Sequence, residues 1–222
     1  MKRTQNNTAP NDVTVKIPVG AITLLGDLHY PTKIPAVVVF AHGSGSSRLS
    51  SRNRFVASTL NEAGMGSLLF DLLTPQEEVR DEITTEYRFN IKLLAQRLML
   101  VSDWLLKNTQ TSVWKIGYFG ASTGAAAALI AAAELPQHVS AVVSRGGRPD
   151  MAGNALPRVK APTLLIVGGN DTEVIRLNEQ AYAVLKSEKK LEIVPGATHL
   201  FEEPGTMDVA AKLARDWFIN HF

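Results

Sequence analysis

The sequence predicts an α/β fold with a mostly parallel sheet and helices on both of its faces. Short apolar runs alternate along the chain with longer segments whose apolar residues recur at helical spacing. Strands that alternate with helices need crossover connections, and right-handed crossovers place helices on both faces of a parallel sheet. The chain has 222 residues, a length that one domain of this class can contain. We therefore expect a disordered polar tail over residues 1–12 and a single domain over residues 13–222.

Two segments near the N terminus are predicted to form the leading strands. Residues 13–17 alternate apolar and polar side chains, the period-two pattern of a half-exposed strand, and residues 21–28 are a second candidate. The dipeptide Val19-Gly20 between them suits a hairpin turn. This first pair is therefore expected to be antiparallel.

Six further segments are short and mostly apolar, as is typical of parallel strands that are buried on both faces. They occupy residues 36–40, 66–70, 116–119, 139–143, 163–167 and 191–194. Apolar residues at helical spacing predict the helices that alternate with them. These helices are expected over residues 55–63, 87–106, 123–134, 174–186 and 207–220. Together with the leading pair, these segments predict an eight-stranded sheet.

The composition excludes several functional classes. The chain has 23 basic and 21 acidic residues, and a net charge of +2 is too small to indicate a nucleic acid or a membrane as partner. It contains no cysteine, which excludes disulfides, thiolate catalysis and cysteine-ligated metals. We expect a cytoplasmic protein, because no apolar run resembles a signal peptide or a membrane span, and a periplasmic location stays open.

Ser122 is the predicted nucleophile. It is the centre of Gly120-Ala-Ser-Thr-Gly124, which follows one predicted strand directly and opens the next predicted helix. A G-x-S-x-G turn in this setting raises the serine on a strained bend, where backbone amides and the helix dipole favour negative charge. The alternative is a turn of small residues needed only for packing.

Two residues in later strand-end loops complete a predicted catalytic triad. His199 follows the last strand and is the expected general base, and Asp171 follows the strand before it and is the expected acid. The carboxylate would fix the tautomer of the imidazole and stabilise the imidazolium. The chain order serine, aspartate, histidine is the one used by hydrolases built on this kind of turn. Glu173 is the alternative acid.

An acyl-transfer site also needs donors for the oxyanion. One is expected from the backbone N–H of Thr123, directly after the nucleophile. The second is expected from the glycine-rich loop after the first parallel strand, where we favour the amide of Ser44 and keep Gly43 and Gly45 open. His42 in the same loop is expected to be structural.

Four motifs together resemble a known family. They are His42-Gly43, Gly120-x-Ser122-x-Gly124, Gly168-x-x-Asp171 and Gly196-Ala-Thr-His199. They resemble the α/β-hydrolase superfamily, and its dienelactone-hydrolase-like branch in particular, over nearly the whole chain. The resemblance implies an α/β-hydrolase fold and a cofactor-free hydrolase of carboxylic esters or lactones. Dienelactone hydrolases proper use a cysteine nucleophile, so the serine at position 122 favours a serine esterase.

The segment between the fourth and fifth parallel strands bears on substrate size. Residues 148–160 leave no room for the large helical cap that many enzymes of this fold carry there. The site is therefore expected to be open and suited to small or short-acyl esters. Residues 74–86 are the other segment that could cover the site, but they are acidic and polar and are expected to form a surface loop.

Two arginines lie at the expected catalytic edge of the sheet. Arg145 and Arg148 could bind a carboxylate or phosphate of the substrate. The alternative is a set of salt bridges to nearby acidic residues, namely Asp150, Glu202 or Glu203. A second group, close to the oxyanion loop, is expected to form a solvated helix face, namely Arg48, Arg52 and Arg54.

The sequence thus predicts a hydrolase of small-molecule esters that works through a serine acyl-enzyme, without metal or cofactor. No metal-ligand spacing and no phosphate-binding P-loop motif is present. A thioesterase or acyltransferase with the same triad, and a non-catalytic binding protein on the same fold, stay open as alternatives. The oligomeric state is also left open.

Overall fold

The computed structural model describes residues 11–222. The predicted tail lies almost wholly outside the described residues, and the first strand already begins at Asp12. The strands are β1 Asp12–Val19, β2 Ile22–His29, β3 Ala36–Ala41, β4 Gly66–Phe70, β5 Lys115–Ala121, β6 Val139–Arg145, β7 Thr163–Gly168 and β8 Lys189–Val194. The helices are α1 Ser51–Glu62, α2 Pro75–Thr84, α3 Ile91–Lys107, α4 Thr123–Glu134, α5 Thr172–Val184 and α6 Thr206–His221.

All eight strands belong to one sheet, in the order β1-β2-β4-β3-β5-β6-β7-β8. The pairs β1–β2 and β2–β4 are antiparallel, and every other pair is parallel. The predicted eight-stranded, mostly parallel sheet is confirmed. Because β3, β5, β6, β7 and β8 are consecutive neighbours and parallel, the loops that follow them lie side by side at one edge, where this fold class places its ligands.

Helices cover both faces of the sheet, as predicted. Helices α3, α4 and α5 contribute to the core on one face, and α1 and α6 contribute to the core on the other. Helix α4 is alanine-rich and nearly all of its residues are buried, as expected for a helix that is apolar on every side. Among the described residues, no helix is both long and apolar enough to cross a membrane.

The segment predicted as a surface loop contains helix α2. Its first turn forms a capping box in which Thr74 and Glu77 bond to each other's backbone N–H, and Pro75 stands at the first helical position. These local signals start a helix even where no apolar stripe is present. The helix packs little apolar surface, since Val79 and Ile83 are exposed.

The connection between β6 and β7 is short. It contains two 3₁₀ turns over Pro149–Arg158 that meet at Gly153, and these 10 residues are the whole of its regular structure. The expectation that no large cap covers the site is therefore confirmed.

Candidate active site

Ser122 occupies a strained turn between β5 and α4. Its backbone has φ +50° and ψ −124°, a conformation that residues with a side chain rarely adopt. Two hydrogen bonds tie it to the end of β6 and the residues just after it: the Ser122 N–H donates to the Arg145 carbonyl (3.3 Å), and the Arg148 N–H donates to the Ser122 carbonyl (3.0 Å). The chain passes so close to its neighbours here that a Cβ on Gly124 would collide with the carbonyl oxygen of Ala41. The motif therefore forms the bend that presents a serine side chain at the end of a strand.

His199 and Asp171 form a hydrogen-bonded pair. The Nδ1 atom of His199 lies 2.6 Å from Oδ2 of Asp171. An ionised carboxylate can only accept, so the proton is on Nδ1 and Nε2 is left with a free lone pair. The alternative acid, Glu173, is 67 % exposed at its side chain and pairs with Arg176 at 2.7 Å. Asp171 is thus the carboxylate that orients this imidazole.

One cavity of about 210 Å³ contains both Ser122 and His199. The oxyanion loop, through Gly43 and Ser44, and Arg145 also line it. The described residues form no hydrogen bond between the hydroxyl of Ser122 and the imidazole. Such bonds are often long in an unliganded site and tighten when substrate binds.

The amide expected to be the second oxyanion donor already has a partner. The Ser44 N–H donates to Thr123 Oγ1 at 3.0 Å, and the two hydroxyls lie 2.9 Å apart. The alternative, Gly43, is in closer contact with the nucleophile, because a Cβ on it would lie 2.9 Å from Cβ of Ser122. Thr123 is the first residue of α4, so its own N–H has no acceptor within the helix. Among the described residues the N–H groups of Thr123 and Gly43 have no acceptor, so these two amides are the candidate oxyanion donors.

His42 is structural, as expected. Its Nε2 accepts the N–H of Leu72 at 3.0 Å, so its Nδ1 carries the proton and donates to the Gly43 carbonyl at 3.0 Å. Burial lowers the pKa of His42 below its ordinary value. A neutral imidazole with both nitrogens engaged holds the oxyanion loop against the end of β4 and has no lone pair left for Ser122.

The two candidate substrate-binding arginines differ in their surroundings. Arg148 donates from Nε and Nη2 to the carboxylate of Asp150 at 2.9 and 2.8 Å, which is the salt bridge that the sequence left open. Arg145 has no carboxylate partner among residues 11–222 and lines the cavity with Ser122. A substrate contact stays a prediction for both.

Of the three arginines expected to form a solvated helix face, only one is largely exposed to solvent. Arg54 is 52 % exposed at its side chain, whereas Arg48 pairs with Asp71 and Arg52 lines the cavity of Ser122. The difference arises because α1 begins at Ser51, earlier than predicted, after Ser50 caps it. Arg52 thus lies in the first turn of α1, beside the strand ends. The sequence signal for this earlier start is Ser50, a residue type that is favoured at the N-cap.

Three features identify the α/β-hydrolase fold. They are the order of the strands, the strained serine after β5 and the histidine–aspartate pair. The model of the dienelactone hydrolase family matches residues 23–220. The chain belongs to the dienelactone hydrolase family.

Solved structures agree with this fold. A protein described as dienelactone hydrolase from Anabaena variabilis superposes with a TM-score of 0.94 at 55% identity, covering 96% of this chain and 99% of that one. A Xanthomonas campestris protein described as an α/β serine hydrolase without lid has a TM-score of 0.74 at 20% identity, over 95% of this chain and 96% of that one, and shows the fold alone.

Two curated proteins from strains of Mycobacterium tuberculosis are also similar. Each bears the name "putative phosphoribosyl transferase" and is 56% identical over 210 residues, which are 95% of this chain and 46% of the relative. The chain therefore spans about half the length of the curated relatives it matches.

Proposed function

We propose that the protein is a serine hydrolase that cleaves small or short-acyl carboxylic esters, including lactones. The observation that carries this proposal is the 2.6 Å hydrogen bond that Nδ1 of His199 donates to Asp171, because the same imidazole shares a cavity with Ser122. Membership of a hydrolase family supports the reaction class. The carboxylic ester as substrate and the catalytic roles of the residues are the proposal.

The proposed reaction has two steps. Ser122 Oγ attacks the ester carbonyl carbon while Nε2 of His199 takes the hydroxyl proton, and Asp171 stabilises the imidazolium. The amides of Thr123 and Gly43 bind the oxyanion, since the Ser44 N–H already donates to Thr123 Oγ1. The C–O bond to the alcohol breaks as His199 returns the proton to the leaving oxygen. Water, deprotonated by the same imidazole, then cleaves the acyl-enzyme and releases the acid.

The small volume of the cavity and the short connection between β6 and β7 support a small substrate. The cavity is about 210 Å³, below the range of roughly 300–1,000 Å³ that is usual for drug-sized ligands. The β6–β7 connection, where many members of this fold carry a cap, contains only two short 3₁₀ turns. Leu200 is the one large apolar residue among those that line this cavity, so a long acyl chain would bury little apolar surface in it.

A thioesterase or acyltransferase would use the same catalytic groups, so it stays the alternative. The name of the Mycobacterium tuberculosis relatives points to another activity, but this chain matches only 46% of each of them. We propose that any phosphoribosyl transfer belongs to the part of those proteins outside the match.

Hydrolysis of p-nitrophenyl acetate, butyrate and octanoate by the wild type and by Ser122→Ala tests the proposal. We expect turnover that decreases with chain length and that Ser122→Ala lowers by a factor on the order of 10⁴ or more. Ser58→Ala, an exposed serine on α1, is the matched control and should retain wild-type rates. Turnover that survives Ser122→Ala would contradict the assignment, and a strong preference for acyl thioesters would favour the alternative.

A further inference from the structure

The cavity of Ser122 contains a buried guanidinium that the proposed mechanism does not use. Arg145 is 5% exposed, and its side chain has neither a carboxylate partner nor a hydrogen bond among residues 11–222. Burial, together with the positive charge of Arg52, lowers its pKa to about 10, and the group stays protonated at neutral pH. A buried charge without a partner is unfavourable unless an anion compensates it.

Phe201 holds this guanidinium in place. The Cζ atom of Arg145 lies 5.5 Å from the centre of the Phe201 ring, two residues after His199 in the chain. An arginine that stacks on an aromatic face keeps its N–H donors free for an anion. The cation is therefore positioned beside the loop of the catalytic base and remains available for a ligand.

A second guanidinium lines the same cavity. Among residues 11–222, Arg52 has a buried Nε without a hydrogen-bond partner, and its one ion pair is a 3.4 Å contact with the exposed carboxylate of Glu202. Arg52 and Arg145 both line this cavity, and the charge of Arg52 contributes to the lowered pKa of Arg145. Two like charges held in one cavity repel each other, and an anion shared between them would offset that repulsion.

The start of α1 adds to the positive potential. Ser50, Arg52 and Asn53 line the cavity, and no acidic residue lies in the first turn of this 12-residue helix. The Ser50 hydroxyl accepts the N–H of Asn53, whereas the N–H groups of Ser51 and Arg52 have no acceptor in the described part of the chain. Free N–H groups and the helix dipole together bind anions.

We propose that Arg145, Arg52 and the first turn of α1 form a subsite for a phosphate monoester dianion, so that the ester substrate carries a phosphate group. Two guanidinium groups and a helix N terminus match the charge of about −1.5 to −2 that a phosphate monoester has at pH 7. A carboxylate would neutralise only one of the two cations. The phosphate is an anchor and stays intact, and the carboxylic ester is the bond that breaks. This inference rests on the proposed function for the identity of the reacting group.

Titration calorimetry with phenyl phosphate at pH 8 tests the subsite without any turnover. We expect phenyl phosphate to bind to the wild type and to Ser122→Ala, and to bind at least about tenfold more tightly than benzoate. Arg145→Gln and Arg52→Gln should each weaken that binding by about tenfold or more. Arg54→Gln removes the same charge from the same helix outside the cavity and is the matched control, with binding within about twofold of the wild type.

Each outcome has a separate meaning. Benzoate that binds as tightly as phenyl phosphate would overturn the dianion assignment, and phosphate binding that neither arginine variant weakens would overturn the subsite. Because Arg145 is buried, thermal unfolding must show that Arg145→Gln is folded, and the more exposed Arg52→Gln carries the test if it is not. Ester turnover without phosphate binding would refute the subsite alone. Phosphate binding without ester turnover would refute the proposed function alone.

Discussion

Gly43 lies so close to Ser122 that a Cβ atom on the glycine would stand 2.9 Å from Cβ of the serine and 3.2 Å from the carbonyl oxygen of Ala121. Gly43→Ala must therefore push the oxyanion loop away from the nucleophile. We expect kcat/KM on p-nitrophenyl acetate to fall by about 100-fold, because a displacement of about 1 Å has such an effect. The free energy of unfolding should fall by only about 1–3 kcal/mol. A variant with unchanged kcat/KM would show that the close approach has no role in positioning.

The hydrogen bond that His199 Nδ1 donates to Asp171 predicts the effect of removing the carboxylate charge. Asp171→Asn keeps the size of the side chain but favours the other imidazole tautomer, in which Nε2 is protonated and cannot act as base. We expect kcat to fall by a factor on the order of 10⁴ in steady-state ester hydrolysis. Glu173→Gln, at the exposed alternative acid, should keep nearly full activity. If Glu173→Gln lost activity and Asp171→Asn kept it, Glu173 would be the acid of the triad.

Thr123 links the nucleophile's helix to the oxyanion loop through its hydroxyl. Thr123→Val has nearly the same shape but leaves the N–H and hydroxyl of Ser44 without their shared partner. We expect the free energy of unfolding to fall by about 1–3 kcal/mol and kcat to fall with it. Thr123→Ser retains the hydroxyl and should recover most of both losses, as urea unfolding and ester hydrolysis would show. If Thr123→Val and Thr123→Ser lost equal stability and equal kcat, the hydrogen bonds to Ser44 would not be the cause of the losses.

Burial of neutral His42 predicts a pH dependence of stability. Its pKa is lowered in the folded protein, so below the ordinary value of 6.5 the unfolded chain binds a proton that the folded chain does not. Stability from this residue is complete above pH 6.5 and decreases as the pH falls, by at most about 1.4 kcal/mol per pH unit. Urea unfolding between pH 5 and pH 8 should therefore give a shallower pH dependence for His42→Gln than for the wild type. If the free energy of unfolding changed equally with pH in both proteins, burial of neutral His42 would not be the source of the pH dependence.

The main features of the site could be predicted because they follow from local pattern and from topology. The G-x-S-x-G turn around Ser122 is local, and the strand ends before Asp171 and His199 are visible as apolar runs. Parallel strands bring their carboxyl ends to one edge, so residues far apart in sequence were expected together. The pairing of His199 with Asp171 agrees with that expectation.

What the amino-acid pattern alone established is the succession of eight strands, five of the six α-helices, the class of sheet and the candidate nucleophile, base and acid. Tertiary structure alone decided which polar groups face each other. It pairs Arg148 with Asp150 and gives Arg145 no carboxylate partner among residues 11–222, although Arg145 ends β6 and Arg148 lies only three residues further on. It also gives the Ser44 amide an acceptor 79 residues away in the chain. The physical reason is that hydrophobic periodicity reports only which side of an element is buried. The partner of a buried charge or amide depends on the packing of several elements at once.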